Sequence, residues 1–231
     1  IPHQILDYIL EAGTRASTTG NMQLYSIVVT TEAGIKEELS PCHFNQGMVK
    51  EAPVVLTFCA DFNRFNKWCE QRRAEPGYDN FLSFMTAAID ALLVAQNVCV
   101  AAEDAGLGIC YLGTTTYMAG KIIEILDLPK GVVPVTTVTV GYPDEWPELT
   151  DRLPLDAVVH REKYQDFSET DIDSHYREKE LMAIYQAFVK EHDKETLAQV
   201  FTDVRYKKED NVLFSKSLLD VLAKQGFMNH P

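Results

Sequence analysis

The chain has 231 residues, 46% of them hydrophobic and 24% charged, with 34 acidic side chains against 21 basic ones and a formal charge of −13. This is the balance of a folded globular chain, long enough to bury a substantial core as one domain with appendages. The acidic excess argues against general affinity for nucleic acid or for anionic membranes, both of which need a field of Lys and Arg, so a bound anion requires a local cationic pocket.

The chain opens Ile1-Pro2 with no secretory apolar stretch, as if entering a helix already under way, and a preceding segment is expected. Ile5, Leu6, Ile9, Leu10 and Gly13 recur at helical spacing and lead into the hydroxyl-rich run Ser17-Thr18-Thr19-Gly20-Asn21. Residues 24–30 are rich in β-branched side chains and predict a strand, and residues 32–39 a short helix that stops before Pro41. A second buried strand is expected over 53–60 and an exposed helix over 64–73, broken by Pro76-Gly77.

Residues 81–105 carry seven alanines and apolar or small groups on almost every face, which predicts a helix buried all round, at a domain centre or a dimer interface. Asp90, Gln96 and Asn97 interrupt its apolar run, so no membrane span is expected. Gly106-Leu107-Gly108-Ile109-Cys110-Tyr111-Leu112-Gly113 follows, with Gly106 as the left-handed helix stop, 107–112 as a strand, and Gly113 as backbone open to a flat ligand. A plain helix-to-strand turn is the simpler reading of that segment alone. A helix over 118–128 and a strand over 132–140 complete an alternation of strands and helices.

Residues 161–196 are strongly charged and suggest two amphipathic helices. A final helix over 211–225 has Leu213, Phe214, Leu218, Leu219 and Leu222 on one face and Gly226 as its cap. The expected organisation is a core over 1–160 and a helical extension over 161–231 that packs on the core or on a partner subunit. Cys42, Cys59, Cys69, Cys99 and Cys110 form no C-x-x-C pair, and their odd number fits reduced thiols in the cytoplasm. Cys110 reads as an inert strand cysteine rather than a nucleophile. No zinc-type spacing, P-loop or internal repeat is found, and no metal is expected.

Four segments in this order form a specific pattern: Arg15-Ala16-Ser17-Thr18-Thr19-Gly20-Asn21-Met22-Gln23, Ala52 to Asp61 (A-P-V-V-L-T-F-C-A-D), the glycine-rich segment, and Val140-Gly141-Tyr142-Pro143 with Arg152-Leu153-Pro154-Leu155. The chain resembles the nitroreductase-like flavoenzymes over nearly its whole length, most closely their larger flavin-reductase and oxygen-insensitive nitroreductase branch. The resemblance implies an α+β fold with a central, mostly antiparallel or mixed sheet flanked by helices, a long helix at a homodimer interface, and flavin mononucleotide (FMN) bound where the two subunits meet. It implies that Ser17, Thr18 and Thr19 line the flavin, with Asn21 and Gln23 at the exit of their loop and Gln46 reaching the ring or ribityl chain. Tyr111, Leu112 and Gly113 would set backbone groups beside the ring, and Arg152 would hold the phosphate.

These are the partners an FMN needs: hydroxyls and amides for its polar edges, a cation for its phosphate, and small surface against its ring. The implied activity is ping-pong reduction of nitroaromatics, quinones or flavins by NADPH or NADH, with hydride passing through flavin N5 and no catalytic side chain. Thr150 stands where relatives often carry a second phosphate-binding lysine, and the chain begins downstream of their N-terminal Arg- and Ser-containing motif, so Arg152 is the phosphate cation expected here. The alternatives are a flavin-binding or storage protein with little turnover, a structural oligomer without flavin, and a related flavin reaction such as reductive dehalogenation.

Overall fold

A computed structural model of the chain describes residues 1–230. Its strands are β1 (Tyr25–Thr30), β2 (Val54–Asp61), β3 (Gly108–Leu112) and β4 (Val132–Gly141). Its helices are α1 (His3–Thr14), α2 (Ala33–Leu39), α3 (Met48–Glu51), α4 (Asn63–Gln71), α5 (Phe81–Asp104), α6 (Ala119–Ile125), α7 (Glu169–Leu181), α8 (Ala183–Glu191), α9 (Leu197–Gln199) and α10 (Lys208–Gln225). The strands form one sheet in the order β1-β2-β4-β3 in which every neighbouring pair is antiparallel. The α+β class expected from the sequence is the class observed.

β2 is buried along its whole length, which is why its sequence runs V-V-L-T-F-C-A-D without alternating polar residues. Its register with β4 slips between Phe58 and Cys59, opposite Pro134. Proline has no N–H for the ladder, so the irregularity falls where a donor is missing. α1 and α5 pack on one face of the sheet, with Leu6 and Ile9 meeting Val94 and Val98 over Leu56 and Phe58. Gly13 marks the closest approach of the two helices, since a Cβ there would run into Val98 Cγ2. On a separate cluster Leu39 of α2 and Ile122 of α6 meet Val49 and Leu112. Asn80 caps α5 by accepting from Ser83 N at 3.0 Å, and Gly106, at φ +76°, turns the chain from α5 into β3 as its sequence predicts.

By compactness the chain divides into Ile1–Asp144 joined by the segment from Leu213 onward, and Glu145–Val212. The last segment returns because Val221, Leu222 and Phe227 bury themselves against Leu24, Phe62 and Phe84. The buried stripe of α10 therefore differs from the one expected. Leu213 and Leu219 are exposed, and Val221 and Gln225 are buried in their place. The second unit is built from α7, α8 and α9 with their connections, and α7 and α9 each begin with a reciprocal capping box, Ser168 with Asp171 and Thr196 with Gln199.

In the single chain α5 is covered on one side. It is not buried all round: Leu82, Met85, Ile89, Leu92, Leu93 and Val100 are exposed, from 40% for Met85 to 75% for Leu82, while Ala87, Ala91, Val94 and Val98 are buried. An 18-residue window of α5 reaches a mean hydropathy of 1.6, enough by length and composition to cross a membrane, but 56% of that window is buried inside the protein, as in the core helix of a globular domain. Three polar residues break an unbroken apolar run without lowering the average below the span range.

Candidate functional site

The loop after α1 hangs on a single buried carboxylate. Asp90, 1% exposed and in the middle of α5, accepts from Thr19 N at 2.9 Å and Thr19 Oγ1 at 3.2 Å through Oδ1, and from Leu24 N at 3.3 Å through Oδ2. A buried carboxylate needs such donors, and here they come from both ends of the 19–24 turn. Ser17 is exposed and Thr18 half-buried at its entrance, whereas the Thr19 hydroxyl is turned to Asp90. Asn21 and Gln23 both sit in the left-handed region, at φ +56° and +55°, with Gln23 Nε2 donating to Asn21 O at 3.4 Å. Arg64, at the start of α4, donates to the carbonyls of Gln23 and, at 3.3 Å, Tyr25, which stitches the loop exit to β1.

A second pair of strained residues precedes Gln46. Phe44 and Asn45 lie at φ +55° and +56°, and Gln46 Nε2 donates to the carbonyl of His43 at 3.0 Å. Non-glycine residues held in this region cost about 1–3 kcal/mol each and tend to cluster at functional sites. His43 is fully buried and its Nδ1 shares a 2.8 Å hydrogen bond with Thr114 Oγ1. That bond ties the Gln46 turn to the end of β3, directly after Gly113. Burial pushes the His43 imidazole down to about 4, so it is neutral at pH 7. Gly113 is exposed, and nothing lies within 4 Å of the place where a Cβ would stand.

Tyr111, 38% exposed, donates its hydroxyl to Gln96 Oε1 of α5 at 3.4 Å. The Ser17–Gln23 loop and the Tyr111 side chain are thus both attached to α5, at Asp90 and at Gln96. Six residues of helix separate the two anchors, about 9 Å along the axis at about 1.5 Å per residue. Leu112, in contrast, is buried and points into the cluster with Leu39 and Ile122. Burial raises the Cys110 thiol and pushes Cys59 up to about 12 and Cys99 up to about 11, so none of these supplies a ready thiolate.

Arg152 belongs to the second unit, where its Nη1 donates to Thr150 Oγ1 at 2.7 Å, Asp151 O at 2.8 Å and Thr150 O at 3.3 Å. The Asp151 carboxylate next to it is held by Lys179 Nζ at 2.8 Å and by the Tyr185 hydroxyl at 2.5 Å. Those hydrogen bonds, Lys179 first, hold the Asp151 carboxyl below the usual carboxylate range.

The predicted residues therefore fall into three groups: Ser17 to Gln23 on one loop, Gln46 with Tyr111 to Gly113 joined through His43 and Thr114, and Arg152. The sequence reading missed the groups that position them, namely Asp90, His43, Thr114 and Arg64. Asp90 had a signal, as the lone charged residue between Phe81 and Ala102.

A model of the nitroreductase family matches residues 1–142, over half of the chain and nearly all of the first unit's leading segment, Ile1–Asp144. The chain belongs to the nitroreductase family. A nitroreductase-family relative, the FMN reductase (NADPH) of Bacillus subtilis strain 168, is 34% identical over 186 residues, 75% of each chain. A crystal structure of a candidate oxidoreductase from Bacteroides fragilis NCTC 9343 is 58% identical, covers 99% of this chain and 93% of that one, and superposes with a TM-score of 0.97. The NADPH:FMN oxidoreductase of Vibrio harveyi, solved with NAD+, shares the fold at 28% identity and a TM-score of 0.84, covering 100% and 91% of the two chains. The two solved structures match this chain over 99% and 100% of its length, residues of both units included.

Proposed function

We propose that this chain is an FMN-dependent NAD(P)H oxidoreductase that reduces nitroaromatics, quinones or flavins and works as a homodimer. The observation that carries the reading is the open backbone at Gly113, whose neighbour Thr114 is bonded to His43 and through it to the Gln46 turn, where the Gln46 amide donates to the His43 carbonyl. The residues fit FMN. Ser17 and Thr18 have hydroxyls without protein partners among the described hydrogen bonds, Gly113 leaves room for a flat ring, and Arg152 brings a cation with one edge uncommitted. When bound, FMN would supply hydride acceptance and donation at N5, the chemistry that a two-step ping-pong cycle between NAD(P)H and an acceptor needs. The chain's own contribution is to hold the ring against the 111–113 backbone and to place donors where negative charge develops. NADPH is the favoured reductant, because the relatives named above are NADPH enzymes by name.

The exposed apolar stripe of α5 supports the dimer. Leu82, Ile89, Leu92 and Val100 form a contiguous helical face that a single chain leaves in water, next to the two anchors of the predicted flavin residues. A second copy covering that stripe would complete each flavin site with residues of both subunits. The test is direct: purified protein should be yellow, release FMN on denaturation, and bleach on addition of NADPH. Folded protein that neither takes up added FMN nor oxidises NAD(P)H would rule the enzyme out, and FMN uptake without turnover would leave a binding protein.

A further inference from the structure

Arg152 is fixed by one nitrogen only. Its three hydrogen bonds all start at Nη1, and Nε and Nη2 have no protein partner among the described residues. That leaves one edge of a planar guanidinium free, the edge geometry that recognises phosphate through parallel hydrogen bonds. The residue beside it is a carboxylate, which would be the natural occupant of that edge. It is otherwise engaged: Lys179 at the end of α7 donates to Asp151 Oδ2 at 2.8 Å, and Tyr185 in the first turn of α8 donates to Oδ1 at 2.5 Å. Lys179 also donates to the Tyr185 hydroxyl at 2.9 Å and lies 4.3 Å from the centroid of its ring.

The Asp151 and Lys179 side chains are only 17% and 23% exposed, against 70% and 58% for Glu124 and Lys121 of the surface pair on α6. A surface pair of that second kind contributes little, whereas this one is ordered by three mutual contacts. Both oxygens of the carboxylate are therefore occupied, and its charge is balanced by Lys179.

We propose that Lys179 and Tyr185 are positioning residues for anion recognition by Arg152: they hold the Asp151 carboxylate away from the guanidinium and keep its free edge available for the phosphate of FMN. The inference rests on the reading above that Arg152 takes that phosphate. Its chemistry is selective, because only the phosphate-bearing flavin has anything to lose. Removing Lys179 leaves Asp151 with an uncompensated charge next in sequence to Arg152, whose Nη1 already donates to the Asp151 carbonyl.

The test compares FMN with riboflavin, which lacks the phosphate, by quenching of flavin fluorescence on titration into full-chain apoprotein whose folding is checked by circular dichroism. Lys179→Met should weaken FMN binding on the order of tenfold while leaving riboflavin unchanged, and Tyr185→Phe should do the same to a smaller degree. Lys179→Arg should keep most of the FMN preference. Adding Asp151→Asn to Lys179→Met should restore much of it, because the competing charge is gone. A general loosening of the second unit predicts no such rescue and an equal loss for both flavins, and either result overturns the inference. The underlying reading fails separately: if Arg152→Ala leaves the ratio of FMN to riboflavin affinity unchanged, Arg152 is not the phosphate ligand. A loss of preference in Arg152→Ala with none in Lys179→Met keeps the phosphate site and removes the role assigned to Lys179.

Discussion

Replacing Asp90 by asparagine changes almost no volume and yet should damage the flavin loop. The two oxygens of Asp90 accept from Thr19 N, Thr19 Oγ1 and Leu24 N, so both sides of the carboxylate face donors. An asparagine has one acceptor oxygen and one NH2, and whichever way it is flipped the NH2 meets a backbone N–H. If it faces Leu24, a fully buried amide loses its partner, and a buried unsatisfied donor costs about 1–3 kcal/mol. If it faces Thr19, the hydroxyl can rotate to accept but the amide cannot, and the exposed residue recovers part of the loss from water. The expected destabilisation of Asp90→Asn is therefore about 1–3 kcal/mol, which in a chain of this size lowers Tm by about 2–12 °C. Urea denaturation gives the free energy, and amide hydrogen exchange shows where it is lost, with the Leu24 and Thr19 amides exchanging faster and the β2 and β4 amides least affected. An Asp90→Asn protein within about 0.5 kcal/mol of the wild type, with unchanged exchange at Leu24, would refute the account of this loop.

Three further outcomes follow from the same geometry. His43 is held near 4 against an ordinary 6.5 because burial disfavours its charged form, so the unfolded chain binds a proton that the folded chain refuses between these values. Stability is full above pH 6.5 and falls as pH drops towards 4, by about 3 kcal/mol at about 1.4 kcal/mol for each tenfold in proton affinity; urea denaturation at pH 7 and pH 4.5 should show a smaller difference in His43→Asn. Gly13→Ala drives a methyl into Val98 and should cost about 1–3 kcal/mol in thermal denaturation, with recovery when Val98→Ala is added. Ile89→Glu places a charge in the exposed stripe of α5 and should convert a dimer to monomers in sedimentation velocity, with loss of bound FMN; a monomeric wild type would remove the dimer reading.

What was legible in the sequence was whatever depends on neighbours along the chain. The strands around Val28, Leu56 and Val138 announce themselves by β-branched runs, and Gly106 announces the turn after α5 because few other residues adopt its φ. The exposed half of α5 was not legible from periodicity, because alanines on the sheet side and leucines on the other are equally apolar, and only the structure distinguishes which of them is covered. The return of α10 was hidden for a similar reason: Leu213 and Leu219 compete in the pattern with Val221, and the choice depends on where Phe62 and Phe84 lie. Of the site, the hydroxyl loop and the glycine segment carried local signatures. His43 and Thr114 carried none, being 71 residues apart and unremarkable separately.

Asp90 shows why the two halves of α5 belong to one design. A carboxylate at the centre of so apolar a helix is costly to bury unless donors meet it, and its three donors all come from the loop after α1. The charge organises the short 3-10 turn at Thr19–Asn21 and its exit to Leu24, and it lies one helical turn from residues such as Leu93 that a single subunit leaves exposed. Covering that stripe with a second copy buries the helix further and lowers the local dielectric around Asp90, which strengthens its bonds to the loop as the interface forms. Loop order should then follow assembly. Hydrogen exchange at Thr19 and Leu24 is expected to slow as protein concentration rises through the dimer dissociation constant, and exchange that does not depend on concentration would separate the loop from the interface.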